Sequence, residues 1–249
     1  MEHQETEQSP ERGPKPQGRN PNRKRHGARN QHKMKSFVRW LRQTFPDSFS
    51  PNEVPDNDIA SHILDIAGGK GELAARLCMC DSQKVVLVDP RPADVVACFE
   101  TVVLPRLPKK WQARLEAREN SHAFIQETIR RRFRQITKAL DASSLDTCDD
   151  LRNAIKNSSL LVGMHADGAT EAIVDVALQN DKPFVVVPCC VFPNLFQTRL
   201  VHELETDRMV PVRSHSQFCK YLLAKDPRLQ QFKLPFEGRN TAIFYTGSV

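Results

Sequence analysis

Short apolar runs alternate along the chain with stretches whose apolar residues recur at helical spacing. HILDIA (62–67), KVVLVD (84–89), SLLVGM (159–164) and KPFVVVPCC (182–190) are compact and almost wholly apolar. Strands covered by helices on both faces have that character. Phe133–Leu140 fits a further strand. Between these runs, ELAARLCMC, Pro92–Phe99, LRNAIKNSS (151–159), ATEAIVDVALQN (169–180) and Asn194–Asp207 are expected as helices. In ATEAIVDVALQN, Ala172, Ile173, Val176 and Ala177 fall on one face. The charged stretch 106–132 is also expected to be helical. Ahead of the first strand, Phe37, Val38, Trp40, Leu41 and Phe45 mark a preface helix beside that strand, stopped by Pro46 and Pro51.

The C-terminal end departs from this alternation. QQFKLPF (230–236) and NTAIFYTG (240–247) are separated by Glu237-Gly238-Arg239 alone. Parallel strands need a crossover of a dozen or more residues, so this pair must be an antiparallel hairpin. The pattern predicts an α/β fold: a doubly wound, mostly parallel sheet with an antiparallel C-terminal hairpin.

Composition divides the chain in two. Between Arg12 and Lys35 stand nine Lys or Arg (Arg12, Lys15, Arg19, Arg23, Lys24, Arg25, Arg29, Lys33, Lys35) and no acid. Few apolar residues accompany them, too few to offset the entropy of ordering. Residues 1–35 are therefore expected to be a disordered basic tail, and 36–249 the folded domain. The tail suits contact with nucleic acid, a nuclear signal at Arg23-Lys24-Arg25-His26, or no more than a solvated segment. A second cationic cluster, Arg130-Arg131-Arg132 and Arg134, could extend that surface for RNA phosphates or be a solvated helical face. No apolar run approaches the ~20 residues of a membrane span, and the polar N-terminus lacks a secretory signal. Seven cysteines at irregular spacing, with no pair of CxxC knuckles, suit reduced thiols in an intracellular protein, nuclear or cytoplasmic. No metal is expected from them.

The first strand runs into Ala67-Gly68-Gly69-Lys70-Gly71 and then a helix. Ligands of such sheets sit at the carboxyl ends of the strands, where the strand order reverses. Glycines there let backbone approach the ligand, and the helix offers its first N–H groups. Gly69-x-Gly71-x-x-Ala74 fits a dinucleotide fingerprint, and Asp89 at the tip of the next strand would take ribose hydroxyls. S-adenosylmethionine is bound with the same geometry, so the glycines leave NAD and S-adenosylmethionine both open.

LDIAGGKGEL resembles motif I of the class I S-adenosylmethionine-dependent methyltransferases, in which an acid ends the strand before the glycines. Asp65 stands at that position, and Ala67 replaces the first glycine of the usual pattern. The antiparallel hairpin is also similar to the last strands of that Rossmann-like sheet. The resemblance implies a methyltransferase with Asp65, Ala67, Gly68, Gly69, Gly71 and Asp89 around S-adenosylmethionine.

Two later motifs lie on the same rim. Gly163-Met164-His165-Ala166-Asp167-Gly168 follows the fourth strand, and Pro188-Cys189-Cys190 follows the fifth. The pairing resembles a methyltransferase subgroup with a His/Gly turn after strand four and Cys-Cys after strand five. That subgroup includes some tRNA 2′-O-methyltransferases. Their turn is closer to HxCGxxT, and Asp167 replaces its cysteine here. His165 could take a proton from a hydroxyl or amine, with Asp167 orienting it or binding substrate, or both could merely satisfy a strand-to-helix turn. Cys189 and Cys190 could serve as nucleophiles or pack as small apolar groups shaping the pocket. His165, Asp167 and Cys189 are thus the candidate catalytic residues. The expected substrate is RNA, with tRNA as one candidate, methylated on oxygen or nitrogen. The alternatives are a protein or small-molecule methyltransferase, or an inactive member of the fold acting as an assembly factor on an RNA–protein particle.

Overall fold

A computed structural model describes residues 32–49, 61–203 and 207–248. Most of the basic tail lies outside the described residues. The first helix, α1 (Lys33–Thr44), begins before the expected domain boundary, so Lys33 and Lys35 belong to it.

Seven strands form one sheet in the order β3-β2-β1-β4-β5-β9-β8. They are β1 (His62–Ile66), β2 (Val85–Val88), β3 (Phe133–Ile136), β4 (Ser158–Met164), β5 (Phe184–Val187), β8 (Gln230–Lys233) and β9 (Thr241–Tyr245). β1 through β5 are parallel to one another, and β9 pairs antiparallel with both β5 and β8. The expected doubly wound, mostly parallel sheet with its terminal hairpin is present. β1 to β3 build outward one way and β4 to β5 the other, so the strand order reverses between β1 and β4.

Both faces are covered, which explains the continuous apolar runs. Ile63, Val85, Leu160 and Val185 point into one core with α1, α2 (Glu72–Cys80) and α5 (Ser121–Arg132). Leu64, Val86, Leu161 and Val186 point into the other, with α7 (Asp149–Asn157), α8 (Thr170–Gln179) and α9 (His215–Leu223). On α1, Phe37 and Leu41 are fully buried. Trp40 stacks on Phe232 at 5.6 Å and meets the edge of Phe244 at 5.2 Å. The preface helix thus shares a core with Ile63 of the first strand, as expected, and its largest ring is seated on the C-terminal hairpin.

The helical stretch 92–132 is divided into α3 (Val95–Cys98), α4 (Lys109–Glu116) and α5. Asp94 caps α3 by accepting from the Ala97 N–H at 2.9 Å, and Asn120 caps α5 by accepting from Ala123 at 3.0 Å. A short α6 (Ala142–Thr147) precedes α7.

The expected helix over Asn194–Asp207 is not formed. Turns lead to β6 (Leu200–Glu203), which pairs antiparallel with β7 (Arg208–Pro211) in a separate two-stranded ribbon. The reason is local: in Leu200-Val201-His202-Glu203 only Val201 is buried, a burial of period two. Arg199, just before it, is drawn into the interior and anchors the chain there.

Candidate functional site

The site lies where the strand order reverses, at the carboxyl ends of β1, β2, β4 and β5. After β1 the chain turns through Ala67 (φ 56°), Gly69 (φ 60°) and Gly71 (φ 76°). Gly71 is constrained twice, since a Cβ there would lie 2.8 Å from Val95 Cγ2. Gly68 is required for another reason: a Cβ would collide with the Asp65 carboxylate. Ala67 is the misfit, holding a left-handed conformation that glycine adopts without cost. Ala67→Gly is expected to stabilise the chain by about 0.5–1 kcal/mol. Urea denaturation checks this, and an unchanged or lower midpoint contradicts it.

Asp65 is fully buried, and neither carboxylate oxygen has a hydrogen-bond partner. Burial pushes its pKa up to about 7, the nearby Ala74 N–H offsets part of that, and the charge of Asp89 adds to the rise. Asp89, at the tip of β2, is also buried but well partnered. It accepts from the Gly69 N–H at 2.9 Å, from the Arg91 N–H at 3.0 Å, and from the Arg91 guanidinium at 3.0 and 3.2 Å. Burial pulls its pKa up, but the Arg91 and Gly69 donors prevail and hold it below the usual carboxylate value. The two carboxylates suggested by the sequence are therefore unlike: one buried without a partner, one held ionised by its donors.

Two cavities flank the turn. One, of about 490 Å³, is lined by Lys33, Asp65, Lys70, Glu72 and Met164 among others. The second, of about 430 Å³, is lined by Gly69, Asp89, Arg91, Leu140 and Asp167 among others. Gly68 and His165 belong to both, so the cavities meet at the glycine turn.

The turn after β4 is strained, with His165 at φ 57° and Asp167 at φ 46°. Such conformations in non-glycine residues are costly and cluster at functional sites. Lys33 makes a short contact to His165 Nε2, while His165 Nδ1 is buried without a partner. Burial, then the Lys33 charge, lowers the His165 pKa to about 4. The imidazole is neutral at pH 7, with the Nε2 lone pair engaged by Lys33. Cys189 donates its S–H to Asp167 Oδ1 at 3.0 Å. Burial first, then that bond, pushes its pKa up to about 12. A thiol so thoroughly protonated is a poor nucleophile, which weighs against covalent catalysis.

Asp65, Ala67, Gly68, Gly69, Asp89, His165 and Asp167 line one or both cavities, whereas Gly71 completes the turn without lining either, and Cys189 is joined to the rim through its bond to Asp167. Sequence reasoning missed Lys33, which it assigned to the tail. The signal was present, because Lys33, Phe37 and Leu41 are spaced four apart and share the inward face of α1. Arg91 was missed as well, since nothing in Asp89-Pro90-Arg91 announces that the arginine folds back. The gathering of Asp167, Cys189 and Cys190 within 4.8 Å was not signalled by any ligand spacing.

The second cationic cluster is largely occupied within the chain. Arg130 and Arg131 pair with Glu127 at 2.8 and 2.7 Å, Arg132 donates to the Cys78 carbonyl, and Arg134 pairs with Asp150 at 2.8 Å. No helix among the described residues is long and apolar enough to cross a membrane.

Among solved structures, two of the methyltransferase domain of bacterial CtHen1, forms CN and C, are similar to this chain. Each is 14% identical and aligned over 88% of this chain and 99% of that one, with TM-scores of 0.46 and 0.43. No family model and no curated protein matches the sequence.

Proposed function

We propose that the chain is an S-adenosylmethionine-dependent methyltransferase of class I that methylates RNA, with tRNA as one candidate substrate, on oxygen or nitrogen. The observation that carries this reading is the pair of cavities joined at Gly68, with Asp65 lining one and Asp89 the other. Asp65 offers a buried, unpartnered anion suited to an ammonium group. Asp89 offers oxygens suited to ribose hydroxyls, shared with or released by the mostly exposed Arg91 side chain. A dinucleotide fits poorly, because its pyrophosphate would lie on the same turn, against the Asp65 carboxyl.

Asp65, Ala67, Gly68, Gly69, Gly71 and Asp89 would hold the cofactor. When bound, S-adenosylmethionine supplies a methyl group on a sulfonium, an intrinsically reactive leaving group. The chain's own residues then have mainly to align the acceptor and exclude water. His165, neutral and on the shared wall of both cavities, can accept a hydrogen bond from the acceptor once Lys33 releases its Nε2. RNA is favoured by the basic segment, which joins the domain at α1, whose Lys33 lines the first cavity.

The test is transfer from methyl-labelled S-adenosylmethionine into total RNA, protein or metabolite extract, with the wild-type chain and Asp89→Ala. Label in RNA is expected, reduced about 100-fold or more by Asp89→Ala, which removes the carboxylate at the ribose end. Label in protein or metabolites alone overturns the RNA assignment. Absence of S-adenosylhomocysteine binding by calorimetry overturns the methyltransferase reading.

A further inference from the structure

Asp167, Cys189 and Cys190 place one carboxylate oxygen and two sulfurs within 4.8 Å of one another. They come from adjacent strand ends: β4 and β5 are paired from Leu161–Phe184 to Met164–Val187, and the His165 N–H continues the ladder to the Val187 carbonyl at 3.1 Å. Both arms are held from outside the cluster. On the β4 side, the Thr170 hydroxyl donates to the Asp167 carbonyl at 2.9 Å, and the left-handed backbone at Asp167 sets its direction. On the β5 side, His215 Nε2 lies 3.0 Å from the Pro188 carbonyl, and buried Arg199 donates to the Val191 carbonyl at 3.0 Å. The donor atoms are thus brought together by fixed backbone, the kind of preorganisation that ion binding requires.

We propose that Asp167, Cys189 and Cys190 bind a zinc ion with one coordination position left open beside the second cavity. Two sulfurs and one carboxylate select a thiophilic divalent cation over magnesium or calcium, which take oxygen alone. Three protein ligands are the pattern of a zinc site that keeps a place for water or substrate, whereas structural zinc takes four. Asp167 lines the second cavity, which puts the proposed site at the edge of ligand space. On binding, two Zn–S bonds and one Zn–O bond form, and the two thiol protons leave to solvent. The Cys189 S–H bond to Asp167 is replaced by the shared ion. The lack of CxxC knuckles in the sequence bears only on a structural zinc site, because ligands brought together by strand pairing leave no such spacing.

The open position would take the acceptor's oxygen or nitrogen and acidify it. This assignment rests on the methyltransferase reading, whereas the binding of zinc does not. The full chain, stripped with chelator and dialysed against zinc under reducing conditions, is expected to retain about one zinc per chain by atomic emission. Cys190→Ser and Asp167→Asn are expected to weaken binding about 100-fold or more. Asparagine tolerates the left-handed backbone at 167, so that variant should fold. Cobalt in place of zinc should give a thiolate-to-metal absorption band that Cys190→Ser diminishes. The proposal is overturned if the wild-type chain retains no stoichiometric zinc, or if a Cys189→Ser, Cys190→Ser double variant retains as much. S-adenosylhomocysteine binding on the same samples separates the two readings. Binding without zinc overturns the metal site alone, and zinc without binding overturns the methyltransferase reading alone.

Discussion

Asp65→Asn is expected to stabilise the ligand-free chain at pH 8 by about 2–4 kcal/mol, and to abolish S-adenosylmethionine binding. Both effects have one origin. The Asp65 carboxyl is fully buried without a hydrogen-bond partner, and burial raises its pKa from 3.8 to about 7. Below about pH 4 the group is neutral folded or unfolded, so it adds no pH-dependent penalty. As pH rises from there towards 7, the unfolded chain ionises while the folded one resists, and stability falls. Above 7 the full penalty is present. A tenfold change in proton affinity is worth about 1.4 kcal/mol, so the interval sets a ceiling of roughly 4 kcal/mol. The asparagine amide also goes unsatisfied, which lowers the gain. The check is urea denaturation of both proteins at pH 5 and pH 8. The wild-type curve should lose stability relative to the variant over that interval. Parallel curves would mean that Asp65 is solvated or partnered. A buried anion that weakens the empty protein is understandable if a cation completes it, and S-adenosylmethionine brings an ammonium. Cofactor affinity should accordingly decline as pH falls below about 7, because protonation removes the anion.

How far the sequence revealed this arrangement depends on whether the determining signal was local. β1, β2, β4 and β5 were legible because a strand covered on both faces is a short, continuous apolar run. The hairpin was legible because three residues cannot make a crossover. Once β4 and β5 were recognised as parallel elements, the His165 turn and the Cys-Cys pair had to share a rim with the glycines. That Cys189 reaches Asp167 could not be read, because it depends on strand register and on left-handed backbone at a non-glycine residue. The role of Asp65 came from its resemblance to a motif; its lack of partners is a property of the fold around it. β6 was read as part of a helix over Asn194–Asp207, and its single buried valine carries little periodic signal. α9 went unread although Ser214 and Gln217 form a capping box, with the Gln217 N–H donating to Ser214 Oγ at 3.2 Å and the Ser214 N–H to Gln217 Oε1 at 2.9 Å.

Arg199→Ala is expected to destabilise the chain by about 3–5 kcal/mol, because it breaks a buried ion pair from one side. Arg199 is 3% exposed and pairs with Glu171 at 2.6 Å. Its guanidinium lies 3.5 Å from the Phe196 ring centroid and 4.6 Å from that of Phe218. Alanine removes the charge, the ring contacts and the bond to the Val191 carbonyl together. Glu171 keeps Lys225 at 2.8 Å and Tyr221 at 2.5 Å, so the carboxylate is not abandoned, and the loss should fall at the lower end of that range. For a chain of this length the fall in melting temperature is roughly 10 °C. Arg199→Met separates the contributions, since it keeps volume against the two rings and removes only charge and hydrogen bonds. It should recover about a third to a half of the loss. Because the pair is buried, salt should change the difference little, unlike a surface ion pair. The functional consequence is local. Arg199 ties the segment after Cys190 to α8 and α9, so its loss should loosen Cys189 and Cys190 and lower zinc occupancy, while S-adenosylhomocysteine binding by Asp65 and Asp89 persists. Equal loss of both ligands would show that the anchor supports the whole rim. A melting temperature unchanged by Arg199→Ala would show that the Glu171–Arg199 pair contributes nothing to holding the segment in place.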